Sequence, residues 1–410
     1  MTMDMRVLRP LEWDDWFRHL EVAFGGEAEP AEAREFYRDM TEPERSLGVW
    51  DGEACVGSAS AFSFRLAVPG GALVPAAGVT MVGVAPTHRR RGVLTSLMRR
   101  QLDDVRAGGE PLAVLTASDP AIYGRFGYGA ATYSLSVEVD TTRVRLAVPP
   151  EADGIRLRLV DPEEALGACE KVYAALLAVR PGMPARLPGW ERQGVLDPAS
   201  GRGGRAPLAC VLAERADGEV VGYARYQVNP EWDMSGSAGS VEVRDLDALD
   251  PAAYAALWRY VFDIDLVWTV KAHKRPVDDP LLHLVSDVRR SAPRVRDQLH
   301  VRLVDVGAAL AARVYGSPVD VVFEVTDAFC PWNEGRWRLT GDAKGASCVR
   351  TGDAADLALS VTELGAAYLG GVTLASLGGA GRVVERRAGA LVEASRGFAG
   401  DVAPWLPHGF

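Results

Sequence analysis

The run Val82-Gly83-Val84-Ala85-Pro86-Thr87-His88-Arg89-Arg90-Arg91-Gly92-Val93-Leu94 carries an apolar strand through a basic turn and straight into a helix. The order strand, basic glycine-bearing turn, helix is how a backbone grips a diphosphate. The helix is read from Leu94, Leu97, Met98 and Leu102 at helical spacing, with Arg99, Arg100, Asp103 and Asp104 on the opposite side and Gly108-Gly109 at its end. Its N-terminus therefore falls at Gly92. There the unpaired amides and the positive end of the helix dipole face outward, a glycine lets a ligand approach the backbone, and three arginines add charge. The segment reads as a cradle for a diphosphate; a solvated basic loop in front of a surface helix is the other reading of the same residues.

At 410 residues the chain is too long for one core and implies two or three domains. A hydrophobic content of 48% with 24% charged residues is that of a soluble globular protein. No apolar run approaches the roughly 18 residues that span a bilayer, and Met1-Thr2-Met3-Asp4-Met5-Arg6 lacks the pattern of a secretory signal, so a cytoplasmic protein with no membrane partner is expected. Cys55, Cys169, Cys210, Cys330 and Cys348 are scattered with no C-x-x-C pair, and the six histidines form no ligand cluster, so structural thiols and no metal are expected. The formal charge of −10 disfavours nucleic acid as a partner and mildly favours cationic ligands.

Two hairpin signals, around Asp51-Gly52 and Asp217-Gly218, each open the same order of elements. After the first come a strand at Val79 to Val84, the Gly92 helix, and a strand at Leu112 to Thr116. After the second come Val241 to Val243, a helix capped by Asp250 with Pro251 at its first position, and a strand at Leu266 to Val270. The second copy has no Arg-x-x-Gly; Asp245, Asp247 and Asp250 stand there instead and would repel a diphosphate, so it reads as a copy that has lost its ligand site. Near residue 295 the texture changes again. Val301 to Val306, a helix through Ala308, Ala309 and Leu310, strands at Asp320 to Val325, Arg336 to Thr340 and Leu357 to Val361, and a helix from Thr362 to Tyr368 make a third unit without a catalytic constellation.

Arg89-x-x-Gly92 after a strand resembles the pyrophosphate signature of the GNAT superfamily of N-acetyltransferases, with Leu94 where a small residue is usual. Together with Ile122-Tyr123-Gly124-Arg125-Phe126-Gly127-Tyr128-Gly129 it closely resembles the Eis (enhanced intracellular survival) family. The likeness extends to Asp279-Pro280-Leu281-Leu282-His283-Leu284 and to Val304-Asp305-Val306-x-Ala308-Ala309-Leu310, and so covers essentially the whole chain. It implies tandem GNAT-like domains followed by a sterol-carrier-protein-like α+β domain: residues 1–140 catalytic, 141–295 degenerate, and 296–410 ending in a catalytic C-terminus. It further implies a homo-hexamer that transfers acetyl groups from acetyl-CoA to primary amines of a small cationic molecule such as an aminoglycoside or polyamine. The alternative is a CoA- or lipid-binding protein whose acetyltransferase site is vestigial.

The same resemblance assigns Tyr123 as general acid and the Phe410 carboxylate as general base. It places Val82, Gly83, Val84, Arg89, Arg90, Gly92, Val93 and Ser118 against acetyl-CoA, and Phe24, Phe36 and Met81 against the acceptor. Acidic positions used by aminoglycoside-accepting members fall at Gly26 and Gly409, with Glu27, Glu29, Glu32 and Glu35 near in sequence. The chemistry is consistent: an alkyl ammonium is not nucleophilic until it loses a proton, a phenol can protonate a departing thiolate, and a strand amide can polarise a thioester carbonyl.

Overall fold

The computed structural model describes residues 3–26, 28–234 and 236–410, and is built on three large sheets with helices packed on them, beside a two-stranded ribbon. The first sheet holds β1 (Asp4–Val7), β2 (Leu47–Asp51), β3 (Ala54–Ala67), β4 (Leu73–Val84), β5 (Leu112–Thr116) and β6 (Gly129–Ala130). Its order is β1-β2-β3-β4-β5, then the strand Leu299–Leu303, then β6. Asp51-Gly52 makes the β2–β3 turn, with Gly52 at φ 64°, a conformation that suits glycine. Helix Val93–Ala107 lies on this sheet through Val93, Leu97, Met98, Leu102 and Val105.

The second sheet is built the same way, with Gly239–Ala248 and Val267–Pro276 as its parallel pair and Pro251–Phe262 as the helix between them. Asp250 caps that helix, accepting from the Ala253 amide at 2.8 Å. The strand β7 (Tyr133–Asp140), which follows β6 in sequence, joins this second sheet rather than the first, between Arg294–Asp297 and Val267–Pro276. Conversely Leu299–Leu303 is laid between β5 and β6 of the first sheet. The first two units are thus stitched together by exchanged strands. The run Val301–Val306, read as the opening of the third unit, splits: its strand half belongs to the first sheet and Val306–Ala311 is a helix over the third.

The third sheet has five strands, in the order Gly345–Arg350, Gly335–Asp342, Val319–Thr326, Leu357–Ser360 and Val383–Glu385. It is fused to the first sheet through a shared core containing Leu112, Val301, Phe323, Leu339 and Leu364. Gly129, the last residue of the Tyr123 motif, and Gly365 make this joint possible. A Cβ on Gly129 would lie 2.1 Å from the Thr362 carbonyl oxygen, and one on Gly365 would lie 2.2 Å from that of Val301, so helix Val361–Ala367 seats directly on the first sheet. At the same joint the fully buried Arg302 donates to both carboxylate oxygens of Asp327, at 2.9 and 2.7 Å. Removing one partner strands a buried charge, so Asp327→Ala should cost about 3–5 kcal/mol, read as a lowered denaturant midpoint.

Candidate active site

The site begins where β4 and β5 part. They pair in parallel only from Ala76–Gly78 against Leu112–Val114, so the stretch of β4 from Val79 to Val84 has no strand on its β5 side. A bulge sharpens the divergence: β4 leaves register with β3 between Ser58 and Ser60, Met81 sits at φ 52°, and the Ser58 hydroxyl donates to the Met81 carbonyl at 2.9 Å. The wedge so opened is a cleft of about 680 Å³, a volume suited to a small-molecule site.

One wall of the cleft is Val82, Gly83 and Val84; its floor is the turn Arg89, Arg90, Gly92 and Val93; Ser118 and Tyr123 close the far side and Phe24 stands at the rim. Every residue assigned to acetyl-CoA from the sequence therefore lines one cavity. Arg90 at φ 63° and Gly92 at φ 82° are both left-handed, which curls the turn so that its amides and the helix N-terminus face inward. Arg89 ties the turn to helix Trp13–Phe24 by donating to the Ala23 carbonyl at 3.2 Å. His88 braces it from behind, its Nε2 lying 3.2 Å from the Asp51 carboxylate. Arg89, Arg90 and Arg91 have no carboxylate partner among the described residues, and a Cβ on Gly92 would meet nothing within 4 Å. These features fit a diphosphate-bearing ligand.

Tyr123 ends the short helix Pro120–Tyr123, whose cap is Asp119 accepting from the Ala121 amide at 3.0 Å. Its ring meets Tyr128 edge-on at 6.0 Å. Burial pushes the Tyr123 phenol up to about 12, because the phenolate would be poorly solvated there. The phenol therefore keeps its proton at neutral pH.

Phe410 is carried back to the first sheet by a tail pinned along its length. The Ala403 amide donates to Asp278 at 2.9 Å, the Trp405 indole to the Lys274 carbonyl at 2.6 Å, and Gln193 to the Gly409 carbonyl at 3.1 Å. His408 stacks on Trp190 at 6.3 Å and is lowered to about 3, chiefly by burial and secondarily by Arg186, so it is a neutral anchor. The Phe410 ring meets Phe64 edge-on at 5.0 Å, and its backbone carboxyl oxygen accepts from the Thr80 hydroxyl at 3.1 Å.

Of the proposed acceptor contacts, Phe24 is 57% exposed at the cleft rim. Phe36 and Met81 are buried in an aromatic cluster with Phe62, Phe64 and Trp190, against which Phe410 also packs. Glu32 and Glu35 line a separate groove with Phe36 and Arg192, away from Tyr123. The Glu29 amide donates to Glu21, and Glu27 lies outside the described residues. Sequence reasoning missed Thr80, Trp190 and Gln193, which hold the tail; no local pattern marks them, since their roles arise from residues far away in the chain.

The second unit shows how such a site is closed. Beyond Val243 its parallel strands also part, but the gap is filled by the buried Arg275, which donates to the Leu246 carbonyl at 2.6 Å and to Asp279 at 2.7 Å. Asp245 is held by Arg225 at 2.8 Å and Asp247 accepts from Tyr223 at 3.0 Å. The acids that replace the basic turn are thus internal partners. Among the described residues no three His, Cys, Asp or Glu side chains converge as a metal site would require, and no helix is long and apolar enough to cross a membrane.

A splayed parallel pair with a basic, glycine-headed helix at its mouth defines the GNAT class of acyltransferases. Comparison with known proteins agrees: residues 4–131 and 182–303 each match an acetyltransferase (GNAT) domain model, and residues 306–407 match a sterol carrier protein domain. An N-acetyltransferase of Streptomyces avermitilis is 66% identical over the whole of both chains. The N-acetyltransferase Eis of Mycobacterium bovis is 34% identical over 87% of this chain and 86% of its own. The crystal structure of Eis1 from Mycobacterium abscessus superposes over the whole of both chains with a TM-score of 0.83 at 35% identity. The chain belongs to the Eis family of GNAT N-acetyltransferases: two GNAT domains followed by a sterol-carrier-like domain.

Proposed function

We propose that this enzyme transfers the acetyl group of acetyl-CoA to a primary amine by direct attack, with Tyr123 as general acid and the Phe410 carboxylate as general base. Acetyl-CoA, when bound, supplies the thioester acyl group. The Arg89–Gly92 turn would bind its diphosphate and the free edge of β4 would orient and polarise its acyl carbonyl. The Phe410 carboxylate takes the ammonium proton, freeing the lone pair that forms the new C–N bond. As the C–S bond breaks, the Tyr123 hydroxyl gives its proton to sulfur, and the second proton that nitrogen sheds as it becomes an amide restores the phenol.

The observation that carries this reading is the return of the tail. Thr80, which holds the Phe410 carboxyl oxygen, lies on the same free stretch of β4 that walls the cleft containing Tyr123. The reading thus draws its acid from the lining of the cleft and its base from a chain end held on the strand that walls it. The same family reading carries the expectation of a homo-hexamer, which light scattering would check.

The test is release of CoA thiol from acetyl-CoA with a panel of amines, including aminoglycosides and polyamines. Turnover with N-acetylated product is expected; acetyl-CoA binding without transfer to any amine would favour the vestigial, CoA-binding alternative. Gly92→Ala probes the turn. Space is available for the methyl, but φ 82° disfavours any Cβ by about 1 kcal/mol or more, and relaxing that strain tips the amides away from the ligand. Calorimetry should show the Kd for CoA weakened by about tenfold.

A further inference from the structure

A second cavity, of about 440 Å³, adjoins the catalytic cleft and shares Ser118 with it. Gly409 lines it, so it reaches the residue bonded to Phe410. The rest of its lining comes from the seam between the first two sheets and includes Ser134, His273, Lys274, Arg296 and Asp297. It therefore meets the cleft at Ser118 and reaches the residue that precedes the proposed base.

Its charge is cationic. Lys274 and Arg296 have no carboxylate partner among the described residues, whereas Asp297, the acid in the lining, is engaged by His300 at 2.8 Å. Arg275, next to Lys274 on the same strand, is by contrast paired with Asp279 at 2.7 Å. The lysine is also held in an unusual backbone. The strand Val267–Pro276 bulges between Ala272 and Arg275, Lys274 sits at φ 56°, and its carbonyl accepts from the Trp405 indole at 2.6 Å. The left-handed region is unfavourable for a residue other than glycine, and a bulge re-aims the side chains it carries. The bulge thus presents the solvent-exposed Lys274 ammonium at the cavity wall, with the exposed Arg296 also in the lining.

Resting on the acetyl-transfer reading above, we infer that the acceptor amine also carries an anionic group, a carboxylate or a phosphate, seated against Lys274 and Arg296 in this cavity. A zwitterionic acceptor places its anion on these two cations and its amine toward Ser118 and the Phe410 carboxylate. A polycation meets the same two charges as repulsion. This narrows the acceptor from any small cation to an amine bearing an acid.

The test compares matched acceptors: ethanolamine with O-phosphoethanolamine, pentylamine with 5-aminopentanoate, and spermidine as polycation. Wild type should favour the anionic member of at least one pair by about tenfold or more in kcat/KM, and which pair responds separates phosphate from carboxylate. Lys274→Asn removes the charge while keeping a side chain that tolerates the left-handed backbone, and should erase most of that preference through KM. Arg296→Gln should reduce it in parallel. Preference for spermidine or the neutral amines, or a preference untouched by both variants, overturns the inference. Calorimetric binding of the two anionic amines to the CoA-bound enzyme keeps the outcomes distinct. Binding that weakens in Lys274→Asn without any acetyl transfer upholds the anion site and sinks the catalytic reading, whereas absence of binding together with absence of preference sinks the anion site.

Discussion

Appending a single glycine after Phe410 should lower kcat/KM by about 10²–10⁴-fold while leaving CoA binding within about twofold. The extension turns the Phe410 carboxylate into a peptide amide, which cannot take a proton, and moves the new carboxylate about 3.8 Å along the chain. The aromatic ring is retained, so its contact with Phe64 at 5.0 Å and the hydrogen bonds of Gly409 and Trp405 stay available to the tail. The partner variant Phe410→Ala keeps a terminal carboxylate but loses the ring that seats it in the aromatic cluster. It should lose less, about tenfold, because the base is present but held loosely. Deletion of Phe410 combines both defects and should be the most severe. Steady-state kinetics on one responsive amine decide the matter; if the glycine extension retains full activity, the carboxylate is not the base and the tail merely fills space.

Tyr123→Phe should lower kcat by about 10²–10³-fold with little change in the KM for acetyl-CoA, since it removes a proton used only as the C–S bond breaks. Tyr128→Phe is the matched control. Its hydroxyl is buried beside the same motif with no hydrogen-bond partner, so removing it should leave kcat nearly unchanged and stability equal or improved. The pH profile gives an independent check. The acid is active when protonated, and burial moves the Tyr123 phenol from the usual value near 10 up to about 12. Activity that depends on it is therefore complete at neutral pH and lost only as pH rises through about 12, so any basic limb near pH 8–9 belongs to another group. The stability that the buried neutral phenol contributes follows the same sign: present below pH 10, and lost between about 10 and 12.

Much of the catalytic cleft was legible in the sequence because its parts are local. The strand Leu112–Thr116 has the bounds its apolar run implies, and Gly92 caps Val93–Ala107 where the periodicity puts the helix start. Asp250 and Pro251 likewise announce the second helix, and the Asp-Gly pairs sit in their turns. Each of these is a contest between a few neighbouring residues for backbone hydrogen bonds, so composition over a short window decides it. The resemblance to the Eis family added the roles proposed for Tyr123 and Phe410, which spacing alone would not have suggested.

What lay outside that window was decided by pairings hundreds of residues long. Nothing near Tyr133–Asp140 says that it will leave the first sheet for the second, nor near Leu299–Leu303 that it will take the vacated place; the choice belongs to which apolar edges are free when both sheets have formed. The filling of the second unit's wedge by Arg275 is of the same kind: an arginine and an aspartate four residues apart look like a surface pair until the sheet buries them at 2.7 Å. So is the seat of the tail, where Thr80 meets Phe410 only because three domains close a loop between them. The local elements, the basic glycine-headed turn and the family could be read from residue order alone, because local hydrogen bonding and apolar periodicity are properties of short segments. Which unit keeps an open wedge, where the chain end comes to rest and which charges around the second cavity are left unpaired depend on the tertiary structure, because burial and Coulomb energy depend on neighbours that only folding brings together.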